Sequence, residues 1–249
     1  SSQPTHKSHP YFSATKMRNA GKYKVHVAAV NAMGQYSEIK SSPEIESKGA
    51  EPWENEKIFG INKEKPHTTF IPYSVSRTAL VDDWNKSPYY LCLNGKWKFN
   101  YVEKPDDRPL DFMNPNFDVS QWPEIIVPYT TERQGYGYPI YVNTPYEFMG
   151  LMGKMSPPEI PHSYNPVGSY RTNFTIPKHW NGRQVNIIFG GVRSNIYVWV
   201  NGHFVGYSED SKLPAEFNIT KYLKKGDNVL ACQVYRWSDG AYLECQDFW

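Results

Sequence analysis

The sequence lacks a long apolar run, an excess of one charge and any abundance of cysteine. A membrane-spanning helix needs roughly 20 consecutive apolar residues, so we expect no membrane span. Lys and Arg number 27 against 25 Asp and Glu, whereas nucleic-acid-binding domains normally gather a basic excess on one surface. Nucleic acid is therefore not an expected partner. Residues 1–10 are polar, without the apolar core of a signal peptide.

The sequence also lacks the common signatures of metal and cofactor sites. Its three cysteines, Cys92, Cys232 and Cys245, have no metal-ligand spacing and cannot all pair. We expect reduced, mostly structural thiols. No P-loop, zinc spacing or Ser/His/Asp grouping is present. The sequence therefore predicts no cofactor held by this chain alone.

What is abundant is aromatic residues, which make up 16% of the 249 residues. Aromatic side chains favour strands and also stack on sugar rings, although a β-rich core accounts for most of them. From Glu51 onward, apolar and polar residues alternate in short runs between turns. The pairs Asn94-Gly95 and Asn201-Gly202 predict β-hairpins. These patterns indicate an all-β, jelly-roll-type antiparallel β-sandwich, with a long and functional loop over residues 103–166.

Residues 1–48 have a different character from residues 49–249, and we predict a domain boundary between them. Residues 22–30 alternate as a half-buried strand, and a turn follows at residues 31–35. The run GKYKVHVAAVNAMGQYSE resembles the second half of a fibronectin type III module. Half a sandwich cannot bury its own apolar face. This partial fibronectin-like segment is therefore expected to be mobile or to dock elsewhere.

Six runs in the remaining sequence form an ordered series. They are PWENEKIFGINKEKPH from Pro52, LNGKWKF from Leu93, VPYTTERQGYGYPIYVNTPYEF from Val127, NPVGSYRTNFTIP from Asn165, IIFGGVRSNIYVWVNGHFVGYSEDSKLPAEFNIT from Ile187 and VYRWSDGAYLECQDFW from Val234. The series is similar to the N-terminal sugar-binding domain of the β-galactosidases of glycoside hydrolase family 2, and it covers residues 52–249. The resemblance implies a galactose-binding-like jelly roll that packs beside a catalytic TIM barrel and lends loops to its active site.

The resemblance also implies which residues face the sugar. Asn143 in PIYVN and Asp239 in RWSDG match family positions that reach galactose, and Asp239 matches a position that helps to hold sodium. A carboxylate accepts hydrogen bonds from hydroxyl groups and binds hard cations, and an amide both donates and accepts. Without the family, Asp239 before a glycine is a turn residue. Trp199, Trp237 and Tyr242 could stack on sugars, but core packing is the preferred interpretation.

Catalysis by this chain alone is not expected. Retaining glycoside hydrolysis needs two carboxyl groups about 5 Å apart. In the family both groups are glutamates of the catalytic barrel, and residues 1–249 do not include that barrel. Asp239, Glu244 and Asp247 are close in sequence, but nothing places two of them across a glycosidic bond. Three hypotheses stay open: an accessory domain of a β-galactosidase, a stand-alone carbohydrate-binding module, and a structural interaction module with vestigial sugar contacts.

Two further expectations concern an open edge of the sandwich and the cellular location of the protein. In the family the series continues past the position of Trp249 into another strand, so we predict a sandwich with an open edge. Residues 22–30 have the alternation needed to fill that edge, within one chain or by strand exchange between two chains. Glu209-Asp210 predicts a turn at an interface. The fibronectin-like segment and the aromatic content favour a periplasmic or secreted setting over the cytoplasm.

Overall fold

The computed structural model describes residues 51–142, 146–152 and 156–245, together with the backbone of four short strands before them. These strands are β1 (Ala20–Tyr23), β2 (His26–Val27), β3 (Lys40–Ser41) and β4 (Ile45–Lys48). The chain divides into two compact units, Ser1–Pro52 and Trp53–Trp249, and each is described by itself. That residues 1–48 form a partial fibronectin-like module stays a prediction.

In the first unit, the strands pair with near neighbours in sequence. β1 pairs antiparallel with β4, and β2 pairs antiparallel with β3. The expectation that residues 22–30 fill an edge of the sandwich within one chain is therefore wrong for its described residues. The physical reason is loop closure, because a partner a few tens of residues away costs less chain entropy than a distant one.

In the second unit, strands follow one another with short helical turns between them. The strands are β5 (Gly60–Ile61), β6 (Gly95–Val102), β7 (Glu124–Val127), β8 (Val167–Thr175), β9 (Asn186–Phe189), β10 (Asn195–Val200), β11 (His203–Glu209), β12 (Ala215–Asn218) and β13 (Asp227–Tyr235). The α-helices are α1 (Ser76–Ala79) and α2 (Ala241–Glu244). Single 3₁₀ turns occur at Pro52–Glu54, Trp84–Lys86, Pro105–Asp107, Glu132–Gln134, Met149–Leu151, Lys178–Trp180 and Thr220–Tyr222.

These strands form two antiparallel sheets. The larger sheet has seven strands in the order β5-β11-β10-β13-β8-β6-β7, and the smaller one joins β12 to β9. The predicted all-β fold is confirmed. Within the described part of the chain, no helix is both long and apolar enough to cross a membrane.

Both faces of the larger sheet are covered, which explains why its central strands are buried almost throughout. Side chains alternate across a strand, and on β10 Ile196 and Val198 join a core shared with Ile187 of β9 and Phe217 of β12. Tyr197, between them, points into a second cluster on the opposite face. That second cluster is built largely from the long loop between β6 and β8 and from the residues after β13.

The two Asn-Gly pairs behave differently. Asn201 and Gly202 have φ values of 52° and 84° and join β10 to β11, so this predicted hairpin is confirmed as a primed turn. The hairpin predicted at Asn94-Gly95 is wrong, because β6 begins at Gly95 and pairs with β7 and β8 instead. Gly95 has a φ of 138°. Its conformational freedom therefore serves the entry into β6 rather than a hairpin.

The cysteines are free, as expected, with Cys92 exposed and Cys232 and Cys245 buried. Burial raises the pKa of the Cys245 thiol, and the neighbouring guanidinium of Arg193 opposes that shift. A buried thiol with a raised pKa holds little thiolate near neutral pH and is correspondingly unreactive. Cys232 and Cys245 therefore act as packing residues.

Candidate functional site

Asp239 lies in a tight turn between the last strand of the large sheet and helix α2. The Asp239 amide donates a hydrogen bond to the carbonyl oxygen of Trp53 at 2.9 Å. The amides of Ala241 and Tyr242 donate to the carbonyl oxygens of Ser238 and Asp239 at 2.9 and 3.1 Å. The Asp-Gly pair thus makes a turn, as the sequence predicts, and the turn carries Asp239 four residues beyond the end of β13.

Asn165, two residues before β8, holds the residues that precede this turn. It is completely buried, and its side chain makes two hydrogen bonds to one residue. Its Nδ2 donates to the carbonyl oxygen of Trp237, and the amide of Trp237 donates to its Oδ1, both at 3.0 Å. A buried amide side chain satisfied in this way acts as a substitute for a neighbouring strand.

Replacing Asn165 with alanine is expected to lower the free energy of unfolding by about 2–3 kcal/mol, because a buried N–H and a buried C=O of Trp237 lose their partners. Asn165→Asp keeps the side-chain acceptor and loses the donor, so we also expect it to lower the free energy of unfolding by a large amount. Asn116→Ala, at an exposed asparagine, is the matched control. Urea denaturation followed by tryptophan fluorescence measures all three, and equal stabilities for Asn165→Ala and Asn116→Ala would contradict the prediction.

Glu209 is the closest acidic neighbour of Asp239 in this structure, and the sequence prediction for it is wrong. Glu209 is not a turn residue but the last residue of β11, only 6% exposed. The turn begins after it, at Asp210, where φ is 84°. The hydroxyl of Tyr207 donates a hydrogen bond to Glu209 Oε1. Pairing between strands that are distant in sequence buries this carboxyl group, and no local sequence pattern predicts its burial.

Gly240 leaves the space that the Glu209 side chain occupies. A Cβ atom at position 240 would stand 2.9 Å from Glu209 Oε2, which is closer than such atoms approach. A side chain at position 240 would therefore have to displace the carboxyl group of Glu209. The Asp-Gly pair and the Glu209 side chain form one packed unit.

The two carboxyl groups perturb each other. Burial raises the pKa of Glu209 to about 8; the hydrogen bond from Tyr207 opposes the shift and the negative charge of Asp239 adds to it. Burial likewise raises the pKa of Asp239. The carboxyl groups of Glu209 and Asp239 lie close enough to interact. Two such groups cannot both ionise cheaply, so Glu209 keeps its proton near neutral pH.

The turn has buried polar atoms that fit part of a ligand shell. Asp239 Oδ1, Ser238 Oγ and Trp53 Nε1 are buried and have no hydrogen-bond partner among the described residues. A carboxylate oxygen suits a hard cation, which takes about six or more oxygen ligands. Within the described residues there is no group of three His, Cys, Asp or Glu side chains that could hold a metal ion. Asp239 Oδ1 alone therefore has the chemistry of a ligand for such a cation.

Asn143, the other predicted sugar contact, lies outside the described residues. The described residues after it pack on the aromatic cluster beneath the Asp239 turn. The ring centroids of Tyr146 and Tyr242 are 5.0 Å apart, and those of Phe148 and Trp237 are 5.5 Å apart. The loop that carries Asn143 is thus anchored, on this side, to the turn that carries Asp239.

A buried carboxylate ties this loop to the turn. Glu147 Oε2 accepts a hydrogen bond from Trp237 Nε1 at 3.0 Å and lies 3.8 Å from Arg236 Nε. Its Oε1 accepts a hydrogen bond from the guanidinium of Arg193. Pairing and hydrogen bonds of this kind offset the cost of burying a carboxylate. Removing it would leave two arginines without their shared partner.

The predicted core packing of the candidate stacking residues is confirmed. Trp237 is completely buried, and Tyr242 is buried with its hydroxyl group donating to the carbonyl oxygen of Glu159 at 2.7 Å. Trp199 packs edge-on against Phe112, with ring centroids 5.6 Å apart. Trp237 and Tyr242 are therefore too deeply buried to stack on a sugar, whereas Trp199 is only partly buried.

Asn165, Glu147 and Glu209 have roles that the sequence reasoning missed. Asn165 and its partner Trp237 are 72 residues apart, and Glu147 and Trp237 are 90 apart. A pattern read over neighbouring residues cannot detect such pairs. The one available signal was the presence of all three residues within the runs that carry the resemblance.

The chain was compared with known proteins and families. Residues 91–249 match the model described as "Glycosyl hydrolases family 2, sugar binding domain". The β-galactosidase of Priestia megaterium is 47% identical over 195 residues, which are 78% of this chain and 19% of that protein. The β-galactosidase of Psychromonas ingrahamii is 42% identical over 200 residues, 80% of this chain and 19% of that protein.

Among solved structures, Bacteroides uniformis β-glucuronidase is 22% identical with a TM-score of 0.42, covering 59% of this chain and 14% of that one. The chain spans about a fifth of the length of the curated relatives it matches. The family model covers well over half of the chain and includes the Asp239 turn. This chain belongs to glycosyl hydrolase family 2 and carries the sugar-binding domain of that family.

Proposed function

We propose that this chain is the sugar-binding portion of a β-galactosidase, in which Asp239 and Asn143 contact the galactosyl ring beside a catalytic barrel. The observation that carries the proposal is the buried Oδ1 atom of Asp239, at the turn after β13, which has no hydrogen-bond partner among the described residues. A sugar hydroxyl or a sodium ion would satisfy that oxygen. The relatives named β-galactosidase support galactosides as the substrate class.

Sodium is part of the proposal through Asp239 alone. A bound cation would supply positive charge next to the carboxylate and so favour its ionised form. The chain's own contribution is to hold the Asp239 side chain at a fixed turn, through the hydrogen bonds of Asn165 to Trp237. The remaining ligands and the catalytic groups belong to the rest of the protein.

The acid pair does not serve as a catalytic pair. In retaining glycosidases the two carboxyl groups stand about 5 Å apart, with the sugar between them. The carboxyl groups of Glu209 and Asp239 interact directly, and Glu209 is only 6% exposed. No glycosidic bond fits between them. We therefore expect no hydrolysis by this chain alone.

Binding to the isolated chain should be weak. Each polar contact contributes about 0.5–1.5 kcal/mol net, whereas immobilising a ligand costs at least about 4 kcal/mol. Two contacts from Asp239 and Asn143 do not exceed that cost. A dissociation constant weaker than about 1 mM, equivalent to about −4.1 kcal/mol, is the expected result.

Calorimetric titration with galactose and lactose, in sodium-containing buffer, tests this proposal. We expect no saturable heat from the chain alone and a return of binding when the rest of a family 2 protein is present. Asp239→Asn, which keeps the shape of the side chain, is the matched variant. Tight binding by the isolated chain, lost in Asp239→Asn, would instead identify a stand-alone carbohydrate-binding module.

Exchange of residues 22–30 between two chains stays a prediction. The described parts of this segment pair locally, so exchange would require that local pairing to break. Analytical ultracentrifugation decides the matter, because strand exchange predicts a dimer that disappears when residues 1–48 are removed. A monomer at all concentrations would contradict it.

A further inference from the structure

The loop that follows the 3₁₀ turn Glu132–Gln134 is closely fitted and presents one aromatic ring to solvent. Gly137 in this loop has a φ of 71°, a conformation that favours glycine. A Cβ atom at position 137 would stand 2.9 Å from the hydroxyl oxygen of Tyr101. Gly137 thus lets the chain lie against Tyr101, and the next side chain, Tyr138, is 51% exposed.

The Tyr138 ring is held in place by its neighbours. It stacks on Tyr164, with ring centroids 5.6 Å apart and an angle of 20° between the ring planes. Tyr164 in turn packs edge-on against the buried Trp237 at 6.1 Å. The carbonyl oxygen of Tyr138 accepts a hydrogen bond from Arg236 Nη1 at 3.0 Å. Since Tyr164 covers one face of the Tyr138 ring, the exposed surface lies on the opposite face and on the ring edge.

A fixed and exposed tyrosine ring has the properties of a sugar-stacking platform. Single exposed aromatic side chains are common and need no explanation, but Tyr138 is held by a second ring and by a hydrogen bond of its own backbone. A ligand that stacks on it therefore need not immobilise a mobile side chain. The face of an aromatic ring carries partial negative charge, which attracts the C–H groups along one face of a pyranose.

A carboxylate beside the ring suits the hydroxyl groups of a sugar. The guanidinium carbon of Arg236 lies 6.0 Å from the Tyr138 ring centroid, and its Nη1 lies 3.3 Å from Glu132 Oε1. The hydroxyl group of Thr131 donates to Glu132 Oε2 at 3.2 Å. A carboxylate has about four lone-pair sites, so the partly exposed Glu132 side chain can accept further hydrogen bonds. The loop thus combines an apolar ring face with a polar contact, as a pyranose requires.

This loop is connected to both proposed sugar contacts. Tyr138 lies five residues before Asn143 in the sequence. Its carbonyl group is hydrogen-bonded to Arg236, three residues before Asp239. We propose that Tyr138 and Glu132 form a stacking subsite for the second pyranose ring of a galactoside, beside the galactosyl ring. The assignment to the second ring rests on the proposed function, whereas the stacking surface rests on Tyr138 itself.

Titration of the full chain with lactose and with methyl β-galactoside tests this subsite, because only lactose carries a second pyranose ring. Backbone amide shifts in ¹H–¹⁵N NMR spectra detect binding that is too weak for calorimetry. We expect both dissociation constants to be weaker than about 1 mM and lactose to bind about fivefold more tightly than methyl β-galactoside. Lactose should shift the amides of Gly137 and Tyr138. In Tyr138→Ala the preference for lactose should disappear.

Tyr138→Phe keeps the ring and should bind lactose like the parent chain. Should Tyr138→Ala fail to fold, Tyr138→Leu replaces it, because leucine keeps an apolar side chain without a ring. Tyr129→Ala, at a tyrosine of the same loop that is 56% exposed and outside the stack, is the matched control and should leave the preference for lactose unchanged.

Four results would overturn the proposal: no amide shift at about 100 mM lactose, equal affinities for the two sugars, an unchanged preference for lactose in Tyr138→Ala, or its loss in Tyr138→Phe. Asp239→Asn judges the proposed function separately. It should weaken the binding of both sugars alike and leave the preference for lactose, so the two failures are distinguishable.

Discussion

Replacing Arg171 with methionine is expected to lower the free energy of unfolding by about 3 kcal/mol or more. Arg171 is buried in the middle of β8, and its guanidinium group donates to four backbone carbonyl oxygens of the long loop. The acceptors are Phe112 at 2.8 Å, Asn114 at 2.9 Å, Phe117 at 3.3 Å and Pro115 at 3.4 Å. Methionine retains the packing volume and none of these hydrogen bonds.

The expected loss is large because the carbonyl groups stay behind. Hydrogen bonds from a charged donor contribute about 1.5–3 kcal/mol, and an unsatisfied buried acceptor adds its own desolvation cost. Residues 111–117 pack against the large sheet through Phe112, which is completely buried and contacts Trp199. Release of residues 111–117 would therefore also loosen the second cluster of buried residues, on the opposite face of the larger sheet. Arg171→Lys retains a charge with fewer donors, so we expect an intermediate stability.

Guanidinium denaturation followed by tryptophan fluorescence measures this effect, since every tryptophan of the sequence lies in residues 53–249. Arg77→Met, at an exposed arginine of helix α1, is the matched control and should change the stability little. If the Arg171→Met variant is as stable as the Arg77→Met variant, the loop is held by other contacts.

Replacing Glu209 with glutamine is expected to raise the stability at pH 8 by about 3 kcal/mol and to change it little at pH 5. Glutamine keeps the acceptor for the Tyr207 hydroxyl and presents an amide donor to Asp239. It therefore preserves the arrangement of the protonated acid without the cost of ionising it. The variant removes the pH dependence that Glu209 imposes on the parent chain.

The sign follows from the pKa of Glu209 in the folded chain, about 8 against 4.5 for the unperturbed group. Between these values the folded state binds the proton and the unfolded state does not. The stability that Glu209 contributes is thus complete below about pH 4.5 and is lost as the pH rises towards 8. We expect the parent chain to lose about 1 kcal/mol per pH unit across this window.

Urea denaturation of both chains at pH 5, 6, 7 and 8 provides the measurement, and the difference between them removes the titrations that they share. Glu103→Gln, at an exposed glutamate, should follow the parent chain at every pH. A difference between Glu209→Gln and the parent that is the same at pH 5 and pH 8 would show that Glu209 ionises normally in the folded state.

These two residues bear on the sugar contact proposed for Asp239. Arg171 holds part of the long loop, and Glu209 lies next to Asp239. Since Glu209 keeps its proton near neutral pH, a cation or a hydrogen-bond donor at Asp239 would favour release of that proton. Ligand binding and the ionisation of Glu209 are therefore expected to be linked.

The sequence by itself determined what neighbouring residues encode. Apolar and polar alternation between turns predicted the all-β fold, and the Asn201-Gly202 pair determined a hairpin because both residues accept a positive φ. The Asp239 turn was predicted because an aspartate before a glycine favours a turn. Each of these conclusions depends on backbone preferences over a few residues, which a sequence displays directly. The ordered runs identified the family.

Only the tertiary structure decided which strands and side chains pair with one another. Asn94-Gly95 has the same local preference as Asn201-Gly202, yet β6 pairs with strands far along the chain. The local sequence at Glu209 suggests a turn. Packing of distant elements instead buries its carboxyl group and raises its pKa. Asn165 reaches Trp237 across 72 residues. Desolvation and hydrogen-bond satisfaction depend on which remote segments meet, and that is established by packing of the whole domain rather than by any local run.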